Sequence, residues 1–150
     1  MKNTLINFLL LLTLISCSGK EKAQDLLTDK EIAAIKKYID EQIALKSSIK
    51  LKERFGTNLR GLKLVGVDLS GEDLSEIDFS NAELIRITFQ ANNLLGTNFK
   101  NATIQESHFT KVTFQELNLS KIDFQACVFD KVDFNGVNLA YANLEETEFK

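Results

Sequence analysis

The chain has 150 residues, of which 44% are apolar and 26% charged, and a net charge of −3, as suits a single soluble domain. Two cysteines are too few for a disulfide framework. From Thr57 to Lys150 there are eight Lys/Arg against fourteen Asp/Glu, a net of −6, which argues against a nucleic-acid partner because phosphate binding needs clustered cations.

At the N-terminus, Lys2 precedes an apolar run from Leu5 to Ile15 broken only by Asn7 and Thr13. Eleven residues are too few to span a bilayer core of ~30 Å as a helix, but they suit the apolar region of a secretory signal peptide. The run ends in Leu14-Ile15-Ser16-Cys17, which resembles a bacterial lipobox. That resemblance implies a signal peptide over residues 1–16, cleavage before Cys17, and lipid on the Cys17 thiol and the new amine. Two or more acyl chains anchor a protein stably where one does not. The expected location is therefore the cell envelope, with the outer membrane favoured over the inner. Residues 17–27 then form the lipidated cysteine and a polar tether, reaching on the order of 15–20 Å as a random coil.

Thr28 with Glu31 is a capping-box signature, and Ile32, Ile35, Ile39 and Ile43 recur at helical spacing. An amphipathic helix is predicted within residues 28–54, strongest from Asp29 to Lys46. Its isoleucine stripe is expected to cover the open start or an apolar side of the segment beyond Gly56, with outward Val65 and Ile85 as the candidate seat.

From Thr57 onward the chain is an unbroken run of nineteen five-residue repeats. Every repeat centre, counted in fives from Leu59 to Phe149, is Leu, Phe or Ile, and nine of the chain's eleven phenylalanines fall there. Two residues earlier, seventeen of nineteen are apolar or small; one residue earlier, eleven are Asp or Asn. A helix would turn successive centres to face every direction, whereas extended segments keep residues two apart on one face. Each repeat thus offers two inward side chains and then bends at polar turn formers.

Val67-Asp68-Leu69-Ser70-Gly71, Ala142-Asn143-Leu144 and Ile122-Asp123-Phe124 resemble the pentapeptide-repeat consensus of small residue, Asp/Asn, Leu/Phe, Ser/Thr and a variable residue. The resemblance covers residues 57–150. It implies an all-β solenoid, a right-handed quadrilateral β-helix with four repeats per turn, preceded by the helix. Residues twenty apart should then stack into ladders, such as Leu69, Phe89, Phe109, Phe129 and Phe149 inside. Asn58, Asp78, Asn98, Asn118 and Asn138 should form a polar ladder outside.

Only Glu72 and Asn92 break the inward pattern, and they share a column in adjacent coils. They mark either a small polar or cation site near the base of the rod, or a local feature in which the corner opens or the two simply hydrogen-bond. The other acids around them, Asp68, Asp73, Glu76 and Asp78, suggest a solvated face rather than a calcium loop. Outward His108 and inward Cys127 are lone residues, so no catalytic, cofactor or metal set is expected. Function is expected to be non-enzymatic: a rod displayed for an unknown protein partner, with a homodimer through the C-terminal coil near Phe149. The alternative implied by the family is an acidic rod that imitates DNA and binds gyrase, which the export signal disfavours.

Overall fold

A computed structural model describes residues 26–150. The expected signal peptide, Cys17 and most of the expected tether lie outside the described residues. Among the described residues no helix is long and apolar enough to cross a membrane.

Helix α1 spans Asp29–Ala44, and Thr28 opens it with the expected capping box: Thr28 Oγ1 accepts from the Glu31 amide while Glu31 accepts from the Thr28 amide. The helix does not continue to residue 54. Lys46 turns into the left-handed region at φ 52°, the Lys46 amide donates to the Ile43 carbonyl, and the Ser47 amide to that of Gln42. This is a Schellman stop. It leaves Ile43 exposed but lets the chain drop Ile49 and Leu51 into the interior before a five-residue helix, α2, Leu51–Phe55.

The rest is a right-handed, four-sided parallel β-solenoid of about four turns. Seven short strands lie on two of its walls. Strands β1 (Lys63–Val65), β2 (Glu83–Ile85) and β4 (Thr103–Gln105) stack on one. Strands β3 (Thr88–Gln90), β5 (His108–Thr110), β6 (Val128–Asp130) and β7 (Glu148–Phe149) stack on the other. Every pairing is parallel and offset by twenty residues, as Leu64, Leu84 and Ile104 show. The predicted ladders are present. Phe89, Phe109, Phe129 and Phe149 stack with ring centroids 4.6, 5.1 and 5.3 Å apart. On the outer polar ladder Asn98 donates to Asp78 across 3.0 Å.

The residue before each centre decides whether a repeat is strand or turn. All eleven Asp or Asn residues there accept a hydrogen bond from the amide two residues on, at 2.9–3.4 Å. This Asx bond holds the backbone in a turn. Thr113 does the same through its hydroxyl. The seven repeats with Lys63, Glu83, Thr88, Thr103, His108, Val128 or Glu148 in that place form the strands.

Each corner then requires a left-handed residue. Every fifth residue from Gly61 to Glu146 has φ between 52° and 73°, and most are not glycine. An L side chain in that region costs about 1–2 kcal/mol per residue. Ala126→Gly is therefore expected to raise stability by about 0.5–1 kcal/mol, net of the extra freedom glycine gives the unfolded chain. A thermal melt that moves downward would contradict the account.

The helical segment closes the first coil. Ile35, Ile39, Ile49 and Leu51 are buried in one cluster with Leu59, Leu62, Leu69 and Leu74. Where a further coil lies above, most corner amides donate to it, as Gly61 does to Ser80. On the first coil the corresponding Arg60 carbonyl is taken by the Leu27 amide at 2.8 Å, so the cap imitates a preceding coil there. Val65 is not its seat: it stays 53% exposed, because the stripe turns onto the open end of the solenoid and not onto a side wall.

Candidate functional site

The two inward polar residues are neighbours, as their spacing requires, but they do not form an empty polar site. Asn92 is buried, and its Nδ2 donates to the carbonyls of Leu69 at 2.6 Å and Glu72 at 2.9 Å. The same device recurs at this position in other repeats. Thr97, Ser107, Cys127 and Thr147 each donate to the centre carbonyl twenty-three residues earlier. The carbonyls of Leu69, Leu74 and Phe124 already take the amide three residues on, so there the side chain uses the second lone pair. A buried polar group is tolerated here because the corner supplies an acceptor. Asn92 Oδ1 alone in this column has no partner.

The Glu72 carboxylate points the other way, toward the cap. Oε1 accepts from the Ile49 amide at 2.9 Å and Oε2 from the Lys50 amide at 2.7 Å. Lys50 opens α2 in the left-handed region and offers no capping side chain of its own, so Glu72 supplies the acceptor from across the chain. Beside it, Lys52 Nζ donates to Ser75 Oγ at 2.8 Å and lies 3.4 Å from Glu76 and 3.8 Å from Asp73. The Ser75 hydroxyl and amide, helped by the Lys52 ammonium, hold the Asp73 carboxyl below its usual range. The acids of the first coil are thus not simply a solvated face: Glu72, Asp73 and Glu76 fasten the cap. Nothing in the five-residue period signals this, because the partners lie in the non-repeating segment.

His108 faces outward on β5, and among the described residues no group of three or more His, Cys, Asp or Glu is placed to hold a metal ion. Cys127 is fully buried; loss of water around the thiol pushes its pKa up to about 12. The thiolate is the reactive form. Native protein is expected to resist alkylation of Cys127 at pH 8 and to react only once denatured, which mass spectrometry would read directly. Labelling of folded protein would show that this wall opens.

At the far end the last coil is open. Phe149 is 58% exposed and Tyr141 88%, while Val132, Phe134, Val137 and Leu139 are half-buried.

Residues 55–90, 73–115 and 118–150 match the family model for pentapeptide repeats in eight copies. A search of curated proteins found no match. Among solved structures, the chain is similar to HetL, a pentapeptide repeat protein involved in heterocyst differentiation regulation from the cyanobacterium Nostoc sp. strain PCC 7120. The two are 21% identical with a TM-score of 0.51 over 62% of this chain and 49% of that one, so the chain spans about half the length of this relative. Rfr23 from the cyanobacterium Cyanothece 51142 aligns at 19% identity, covering 61% of this chain and 66% of that one, with a TM-score of 0.31. QnrB1, a plasmid-mediated fluoroquinolone resistance protein, aligns at 18% identity over 60% and 46% of the two chains, with a TM-score of 0.31. The match to the family model covers more than half of the sequence, and the twenty-residue stacking gives it physical sense: this chain belongs to the pentapeptide-repeat family.

Proposed function

We propose that this is a non-enzymatic envelope lipoprotein, tethered through lipid on Cys17, whose rod is displayed for binding to protein. The observation that carries the binding half is the filled interior. Stacked Leu and Phe side chains occupy the axis from Leu59 to Phe129 and leave no room for a ligand, so recognition falls to the walls and ends. The anchoring half rests on the lipobox-like Leu14-Ile15-Ser16-Cys17 after its apolar run. The exposed Phe149 and Tyr141 of the last coil favour a second copy as one partner, since an open strand edge invites pairing.

An acidic rod that imitates DNA and binds gyrase is the second reading, favoured by the array's net charge of −6 and opposed by the export signal. Metabolic labelling with a palmitate analogue separates them. Label on the wild type, absent from Cys17→Ala and recovered with membranes, is the expected result. An unlabelled, cytosolic wild type would sink the envelope reading.

A further inference from the structure

Charge on the array is sorted by corner. One corner follows every repeat, and its residue sits in the left-handed region at the rim between two walls. After the wall centred on Leu59, Phe79, Phe99, Leu119 and Leu139, the corner column holds Lys121 as its one charged residue (+1). The corner after the wall of β1, β2 and β4 holds Arg86, Glu106 and Glu146 (−1). Lys111 and Lys131 (+2) follow the wall of β3, β5, β6 and β7, and Glu76 and Glu116 (−2) follow the last wall. Around its girth the rod thus alternates plus, minus, plus, minus. Among the described residues, Lys111, Lys121, Glu116 and Glu146 join no ion pair within the chain. One column is also recessed: at Ala126 the surface drops between Glu106 and Glu146, and Gln105 and Gln125 complete a notch of about 240 Å³.

We propose that this notch receives Lys121 of a second copy, so that rods dock side by side, parallel and level. The wall before Lys121 and the wall of β3, β5, β6 and β7 lie on opposite sides of a four-sided coil. A copy displaced sideways without rotation therefore presents one to the other. At ~4.8 Å per coil of twenty residues, Lys121 then stands about 1.2 Å from the level of Ala126, between the heights of Glu106 and Glu146. At the other edge of the same contact, Glu116 falls between the heights of Lys111 and Lys131. Between the edges the facing columns are chiefly amides and hydroxyls, such as Asn98, Asn118, Gln90 and Thr110. Arg60 meets Asp68, and no two carboxylates and no two lysines face each other.

The two docked walls are unlike, so the contact repeats without closing and builds an open row. Every N-terminus then lies on the same side, as lipid on Cys17 would require, although the docking itself needs no lipid. Exposed ion pairs are individually weak, and confinement of anchored copies to a surface raises their effective concentration.

Carbodiimide, which joins an ammonium to a carboxylate beside it, tests the docking on the full chain with Cys17→Ser. The salt is held at ~10 mM, where charges act over about 30 Å. Mixed isotopically light and heavy protein identifies bonds between copies. A ladder of dimer, trimer and longer rows is expected, with Lys121 joined to Glu106 or Glu146 and Glu116 joined to Lys111 or Lys131. Lysine and glutamate both occupy corners already, so charge-swapped variants are expected to fold. Lys121→Glu alone, and Glu106→Lys with Glu146→Lys, are each expected to cut the Glu116 cross-link, whose own residues are unchanged, by about fivefold or more. Mixing these two variants is expected to restore it, since each supplies the charge the other lacks. Phe149→Asp is expected to leave it unchanged, which separates this docking from pairing through the last coil. The proposal is overturned if wild type gives no cross-link between copies at these residues, or if the ladder stops at a dimer joined from Lys121 to Glu116. It is equally overturned if the mixture stays as low as either variant alone, or if Phe149→Asp removes the cross-link.

Discussion

Phe109→Ala is expected to lower stability by about 3–5 kcal/mol, the range for truncating a buried aromatic side chain. In a domain of this size that corresponds to a fall in Tm of roughly 10–15 °C. Phe109 stacks on Phe89 and Phe129 along its ladder and meets Phe114 and Phe124 edge-on, at 5.2 and 5.7 Å. Removing it opens a void bounded on four sides by rings. Those rings are themselves held by coils above and below, so the site has little room to collapse. Phe149→Ala, at the exposed end of the same ladder, is expected to cost less than about 1 kcal/mol because little apolar area leaves contact. Equal losses in thermal denaturation of the two variants would show that the stacked interior is not what holds the array together.

The second large effect belongs to the cap. Glu72→Ala deprives the part-buried Ile49 amide and the exposed Lys50 amide of a charged acceptor and is expected to cost about 2–3 kcal/mol. The loss should be local, since each coil of a solenoid contacts only its neighbours. Hydrogen exchange is the measurement of choice. The amides of Ile49, Lys50 and α1 are expected to lose protection while those of Ile104 and Phe109 keep theirs. Unchanged protection in α1 would mean that buried Ile35, Ile39 and Leu51 hold the cap unaided.

Much of this architecture was legible because the period of five is incompatible with any helix, and the resemblance to the pentapeptide-repeat consensus implied four repeats per turn, which stacks residues such as Leu64, Leu84 and Ile104. The inner ladders and the Asp78–Asn98 outer ladder follow from counting in twenties. The division into strand repeats and turn repeats was equally present in the sequence, in the choice between Asp123 and Thr103, which share a wall, or between Asn93 and Thr88. It could be read only once the Asx bond showed what that choice controls. Thr113 marks the limit of the rule: as a threonine it resembles the strand formers Thr88 and Thr103, yet its hydroxyl takes the turn role.

The cap was less legible. Periodicity found Ile32, Ile35 and Ile39, but the stop at Lys46 involves no glycine and is driven by what Ile49 and Leu51 gain by entering the core. Val65 and Ile85 looked like a seat because both are apolar and stacked. The open end of the first coil offered more apolar area than any side wall could. Glu72 and Asn92 stand out in the sequence as exceptions to the inward pattern. Their division of labour, one toward the array and one toward the cap, depends on partners that no repeat-based argument places.

Because residue n lies over residue n plus twenty throughout, the length of this rod is quantised. Inserting four repeats adds one storey of ~4.8 Å and leaves the tip facing the same way relative to the cap. Inserting one repeat instead rotates everything beyond it by a quarter turn, sliding strand walls over turn walls and breaking every column at once. Duplication in units of twenty residues can therefore reset the height at which the tip is held without changing its heading, which makes the array a ruler as much as a surface.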